Sequence, residues 1–417
     1  MNENEIFQFK LLENETYAIS KATTIDKNIT SISIPNEYQN KPVTKIDSYA
    51  FNSLEKLHAI EIPNTITYIG SAAFSNCYSL TKLEIPTSVE YIGDRILDNC
   101  LNIESLTIPF IGQIRNDTNI KNLAYIFNGS KNYQIPRSLK EITITDSYII
   151  KEKVFDSCNG LAKIEFSGKT KIIEANAFSS CYGLVTVVIS EGVEHIGKEA
   201  FARCTSLKNI YIPRGIKKIE DSAFGNQARL ENIYFGGNVK DWLDIEIGSH
   251  LFSYEAEEIK SDNKYDFVTR YTEEKPLNLY MMNDLGKYEL VTELIIPSGV
   301  TSIGKDKFCN FASIKTVKMA NTVEKIEYSA FWKCANLERV ILPLILKTIE
   351  GFAFGQCKKL TNVTIPLFVH EIGYKAFAFC PELTVNCEIK KPLLGYPKGY
   401  DKTCFEEVKK VVWNCKK

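Results

Sequence analysis

The chain has 417 residues, 50 Lys+Arg against 51 Asp+Glu, and a formal charge of −1. A single core rarely grows past about 250–300 residues, so the chain holds several domains or an elongated array. Its 44% hydrophobic and 24% charged residues exclude a disordered chain, and the charge balance argues against a nucleic-acid binder.

The opening MNENEIFQFK lacks a basic segment followed by an apolar one, so no secretory signal is visible. Residues 1–42 alternate strand-like segments with polar turns and read as an N-terminal cap, because the first coil of an array otherwise exposes its apolar edge. From residue 43 a repeat takes over. Cys77 and Cys100, then Cys158, Cys181 and Cys204, then Cys334, Cys357 and Cys380, each stand 23 residues from the next. Leu54, Gln227 and Phe311 fill the same slot. A slot that accepts Leu or Phe is apolar, and free Cys behaves as a small buried hydrophobe. The unit reads V-x-x-I-G-x-x-A-F-x-x-C-x-x-L-x-x-L-x-I-P. A period in this range signals stacked supersecondary units.

Within the unit, L-x-x-L-x-I-P places apolar residues two apart, as on one face of a strand, and Pro ends it. The I-G pair predicts a second short extended piece and a turn in which Gly supplies angles closed to other residues. The A-F-x-x-C segment predicts one helical or 3₁₀ turn with Phe and Cys inward. The expected repeat core therefore includes Phe74, Cys77, Phe178, Cys181, Phe201, Cys204, Phe331, Cys334, Phe354, Cys357, Phe377 and Cys380. Coils run over 43–235, with an insert at 110–146 where the period lengthens. Residues 236–290 are irregular and aromatic (Trp242, Phe252, Tyr254, Tyr265, Phe267, Tyr271, Tyr280) and read either as degenerate repeats or as a separate excursion. Coils resume over 291–387, and 388–417 reads as a C-terminal cap.

The motif I-G-x-x-A-F-x-x-C-x-x-L-x-x-[LV]-x-I-P resembles the BspA-like, or treponemal-type, leucine-rich repeats over roughly residues 43–387. The insert at 110–144, the element IYFGGNVKDWLDIEIG at 233–248 and the ending with V-V-W are similar to parts of the same proteins. The resemblance implies a leucine-rich-repeat solenoid: a right-handed, β-rich α/β array of stacked ~23-residue coils with short parallel strands and short helical or 3₁₀ turns. It also implies a surface-exposed or secreted protein linked to adhesion and protein binding, with a host or matrix protein as partner. The missing signal leaves a cytoplasmic location as the alternative.

Catalytic spacings are absent. There is no P-loop, no H-E-x-x-H and no G-x-S-x-G. No C-x-x-C occurs, and the four His (His58, His195, His250, His370) are scattered in phase, so neither a metal nor a cofactor is expected. His58 and His195 fall at exposed phases. The reading is a non-enzymatic chain without a membrane span. Cys309, Cys387, Cys404 and Cys415 are off phase, and disulfides among them would require an oxidising compartment.

The residue between the last two strand apolars points outward. Down the coils it is Glu61, Glu84, Thr107, Thr143, Glu165, Val188, Tyr211, Tyr234, then Ile295, Lys318, Ile341 and Thr364. Val188, Tyr211 and Tyr234 form the candidate binding patch, with Asn209 and Asn232 beside it and Trp242 from the aromatic insert. The opposing expectation is that residues 236–290 fold back over the patch. Three function classes follow: an adhesin-type protein binder, an intracellular scaffold or regulator using the same face, and a glycan-binding protein.

Overall fold

The 23-residue period becomes a β-solenoid of stacked coils. The computed structural model describes residues 6–22, 28–115, 121–128, 131–252, 275–390, 392–393 and 395–415. Tyr254, Tyr265, Phe267 and Tyr271 lie outside the described residues. The chain divides into two units, Met1–Leu207 and Lys208–Lys417.

In the first unit, strands Lys82–Glu84, Ser105–Ile108, Glu141–Ile144 and Lys163–Phe166 pair in parallel. Leu83, Leu106, Ile142 and Ile164 line up in register and are buried. The residues between the inward positions, Glu84, Thr107, Thr143 and Glu165, share the opposite face, as the pleat requires. The I-G segments make a second ladder through Lys41–Ile46, Tyr68–Ile69 and Tyr91–Ile92. At the N-terminus, Phe7–Leu11 runs antiparallel to Tyr17–Ala22, which hands over to the parallel ladder at Lys41–Ile46. The insert carries two 3₁₀ segments, Leu123–Phe127 and Asn132–Gln134. The Leu97 N–H donates to the Ile126 carbonyl at 2.8 Å, so the first of these segments stands where a coil corner would.

In the second unit the I-G segments Ser302–Ile303, Lys325–Ile326, Thr348–Ile349 and Glu371–Ile372 form one parallel ladder, and the longer strands form two further runs. One comprises Asn209–Ile212, Asn232–Phe235 and Asn278–Met282, closed by the antiparallel Tyr288–Leu290. The other runs through Glu293–Ile296, Thr316–Met319, Arg339–Ile341, Asn362–Ile365, Thr384–Cys387 and Lys410–Trp413. The described part of 236–290 follows coil geometry with additions. Helix Val239–Asp244 is inserted, Glu246–Ile247 pairs with Lys218–Ile219, and Phe252 stacks on Phe224 at 6.2 Å. Its N-cap, Asn238, accepts from the N–H groups of Lys240 and Asp241, while Asp241 accepts from the Asn238 N–H, a reciprocal cap. At the other end, Phe405 packs 5.9 Å from Phe377, adding one more coil.

The A-F-x-x-C corners depart from the expected helical or 3₁₀ turn. They are runs of tight turns with two left-handed residues four apart, such as Ala72 and Asn76, Glu199 and Arg203, or Phe352 and Gln356. Left-handed angles interrupt a 3₁₀ progression. They also aim alternate N–H groups sideways. Ala72, Phe74 and Asn76 donate to Asp94, Ile96 and Asp98 of the next coil at 2.8–3.0 Å. The corner is thus a third coil-to-coil ladder, and it satisfies backbone groups that a buried loop would otherwise leave unpaired.

Two columns fill the corner. Phe155, Phe178 and Phe201 stack at 4.9 and 5.0 Å, and Phe308, Phe331, Phe354 and Phe377 stack at 5.2–5.5 Å. All seven are fully buried, each contributing on the order of 2–3 kcal/mol by burial. The phased thiols sit beneath them and do more than fill space. Cys77, Cys100, Cys181, Cys204, Cys334, Cys357 and Cys380 each donate Sγ–H to the Phe carbonyl of the preceding coil at 3.1–3.3 Å. All twelve cysteines are present as thiols.

The glycine of the I-G pair has a different cause from the one expected. Gly70, Gly93, Gly197 and Gly373 are not among the residues with positive φ. A Cβ on Gly197 would lie 2.7 Å from the Ala175 backbone nitrogen, and one on Gly70 would lie 2.4 Å from that of Ser48. These glycines allow close approach of successive coils rather than an unusual turn.

Candidate functional site

The alternation that buries Ile210, Ile233 and Leu279 turns Tyr211, Tyr234 and Tyr280 to the other face of one sheet. Strand register holds them side by side. Tyr211 and Tyr234 stack with centroids 4.3 Å apart and planes within 7°, and Tyr280 stacks on Tyr234 at 4.6 Å. Tyr288 comes from the antiparallel strand and meets Tyr211 and Tyr234 edge-on at 5.7 and 5.4 Å. All four are half-buried. Burial, and after it the neighbouring phenols of Tyr211 and Tyr280, hold the Tyr234 hydroxyl above its ordinary range. The cluster is a half-buried aromatic platform.

An amide ladder runs beside it. Asn232 Nδ2 donates to Asn209 Oδ1 at 2.9 Å, and Asn278 Nδ2 donates to Asn232 Oδ1 at 3.0 Å. These amides brace the strands and bond first to each other. Val188 belongs to the first unit and is exposed. Further along the second unit, Ile295, Lys318 and Ile341 align in register, with Ile295 and Ile341 exposed.

Trp242 is not a contact residue. It is fully buried, its indole N–H donates to the Lys307 carbonyl at 2.9 Å, and Phe235 meets it edge-on at 5.1 Å. Helix Val239–Asp244 drives it inward, so it is core. Beside it, Lys307 is buried and donates Nζ–H to the Ile245 carbonyl, and burial pushes its amine down to about 8. With Trp242 in the core, the glycan-binding reading loses the insert residue it drew on. Of residues 275–290, Tyr280 extends the patch and Tyr288 folds back against Tyr211 and Tyr234, covering it in part.

Two members of the platform, Tyr280 and Tyr288, were not in the sequence-derived patch. For Tyr280 a signal exists: Asn-Ile-Tyr-Ile at 209–212 and Asn-Ile-Tyr-Phe at 232–235 return as Asn-Leu-Tyr-Met at 278–281. Tyr288 has no periodic counterpart. Elsewhere, His58 is exposed and His195 half-buried. Among the described residues, no group of three or more His, Cys, Asp or Glu is placed to hold a metal ion. Among the same residues, no helix is long and apolar enough to cross a membrane.

The family model for the BspA type leucine rich repeat region matches in six copies, over residues 18–143, 129–258 and 286–393. No curated protein matches the sequence. Among solved structures, a leucine rich cell surface protein from Faecalibacterium prausnitzii is 22% identical, with a TM-score of 0.40, covering 99% of this chain and 94% of its own. A leucine-rich repeat protein from Bacteroides ovatus is 22% identical, with a TM-score of 0.46 and 98% of each chain covered. The leucine rich repeat protein of T. pallidum is 21% identical, with a TM-score of 0.32, covering 54% of this chain and 88% of its own.

Proposed function

The chain belongs to the BspA-type leucine-rich-repeat family, and on that footing we propose that it is a non-enzymatic, surface-associated adhesin-type binder whose partner is a host or matrix protein. One observation carries the reading: the half-exposed platform of Tyr211, Tyr234, Tyr280 and Tyr288 on the outward face of a sheet. Tyr is favoured at protein interfaces because it offers large, rigid contact area with a polar tip at small entropic cost. The face is rigid before binding, since register, ring stacking and the Asn209–Asn232–Asn278 ladder hold it, so little ordering cost falls on association. The leucine-rich-repeat architecture supports the non-enzymatic part of the reading.

The test is solid-phase binding of the full chain to immobilised fibronectin, laminin and collagen, compared with Tyr211→Ala and Tyr234→Ala. The wild type is expected to bind at least one of them. Each substitution is expected to weaken binding by about tenfold or more, as central aromatic anchors do. Unchanged binding by both variants, or no binding by the wild type, defeats the proposal. Location is tested separately by protease shaving of intact cells. A chain that survives shaving while a surface control is lost places it inside and leaves the scaffold reading.

A further inference from the structure

One corner of the second unit breaks the rule that the others keep. The turn after each strand carries two residues, the first exposed and the second exposed or half-buried, elsewhere polar or Gly: Asn64-Thr65, Thr87-Ser88, Ser298-Gly299, Asn321-Thr322. In two successive coils the pair becomes Leu344-Ile345 and Leu367-Phe368. The fold does not ask for this. The Leu346 and Val369 N–H groups close onto Pro343 and Pro366 at 3.1 Å, the same distance at which Ile66 and Val89 close onto Pro63 and Pro86. Yet Leu344 is 56% exposed, Leu367 58% and Phe368 64%. Strand register at Thr348 and Glu371, and the His370 N–H on the Lys347 carbonyl at 3.0 Å, hold the two corners side by side.

The chain that follows starts and ends against the same corner. The Leu367 N–H donates to the Glu388 carboxylate at 3.0 Å, which anchors the start of an excursion there with the carboxylate keeping its charge, and the Ile372 N–H on the Gly399 carbonyl at 3.0 Å holds its far end. The excursion carries a wholly exposed Leu393, flanked by exposed Lys390 and Lys398.

We propose that this corner docks on a lipid bilayer surface bearing anionic headgroups, with the four turn residues and Leu393 entering the interface and Lys390 and Lys398 lying among the headgroups. The argument is from shape, area and charge. The apolar side chains stand on turn tips, protruding rather than lining a groove, so they suit a soft phase that closes around them. The four turn side chains and Leu393 expose on the order of 600 Å², short of the ~800 Å² per partner that a stable protein interface covers, which disfavours a second copy. Lysines beside the patch complement an anionic surface.

The test is co-sedimentation of the full chain with phosphatidylcholine vesicles and with vesicles that also contain phosphatidylserine. The chain is expected to sediment with the phosphatidylserine vesicles and to be released as salt is raised. L367S/F368S, and independently L344S/I345S, are expected to weaken sedimentation by at least about tenfold with unchanged far-UV circular dichroism, since the side chains are exposed. K390A/K398A is expected to remove the preference for phosphatidylserine. A wild type that stays in the supernatant with both vesicles overturns the proposal. So do serine variants that sediment like the wild type. Light scattering that finds a dimer abolished by L367S/F368S would make the occupant a second copy and equally overturn it.

Discussion

Raising the pH should unfold this protein through its cysteines. Burial pushes the thiols of Cys77, Cys100, Cys334, Cys380 and Cys387 up to about 12, against an ordinary value of 9.0. It raises Cys181, Cys204, Cys357 and Cys404 as well. A thiol whose folded value lies above its unfolded one holds its proton longer in the native state. Its stabilisation is complete below the unfolded value and is lost as pH rises from about 9 toward 12. At pH 10 each of the five thiols raised to about 12 has cost about 1.4 kcal/mol. In the first unit Cys77 and Cys100 together lose about 3 kcal/mol, a large share of the stability of an ordinary domain, and Cys181 and Cys204 act in the same direction. Lys307 works the other way. Its amine is depressed to about 8 from 10.5, so its burial penalty fades between those values and returns about 3 kcal/mol to the second unit only. Thermal melts followed by circular dichroism, with thiolate absorbance read in parallel, should show a falling Tm above pH 9, and thiolate beyond that of the half-buried Cys309 and Cys415 appearing only as structure is lost. Thiolate beyond those two appearing around pH 9 in a chain that keeps its native spectrum would refute the buried column.

Further outcomes follow from the coil packing. Gly197→Ala should cost about 1–3 kcal/mol in urea unfolding, because the new methyl meets Ala175 and Glu174 backbone atoms at 2.7 Å. Gly304→Ala, at the same motif position, should stay within about 0.5 kcal/mol, since it meets only the Lys307 side chain at 3.4 Å. Phe354→Ala, between rings 5.2 Å away on either side, should lose about 3–5 kcal/mol in the same assay through the cavity it leaves. Lys307→Met should stabilise the second unit at pH 7 and flatten its stability between pH 8 and 10.5. A variant as pH-dependent as the wild type would remove Lys307 as the cause.

The repeat core was legible because each slot recurs with the same residue class. Phe and Cys three apart, copied every 23 residues, identify both buried columns without any knowledge of the backbone. The corner conformation was not legible from that spacing. A separation of three is shared by a 3₁₀ turn and by successive tight turns, and the left-handed positions carry residues as unlike as Ala72, Glu199 and Phe352, so no turn signature marks them. The glycine slot was readable as a requirement but not as a cause, because close approach of two coils and positive φ both select Gly. Within the candidate site, Tyr211 and Tyr234 followed from pleat parity alone. Trp242 did not, since an aromatic in a non-periodic insert has no phase to say whether it faces in or out. Only its helix and the Lys307 carbonyl settle that it is core.

The most direct measurement is hydroxyl-radical footprinting of the full chain, alone and bound to whichever immobilised matrix protein captures it. Tyr211, Tyr234, Tyr280 and Tyr288 should lose modification on binding by several-fold, while buried Trp242 stays unmodified in both states. Tyrosines modified equally with and without partner, with protection elsewhere on the chain, would contradict the aromatic platform as the binding face.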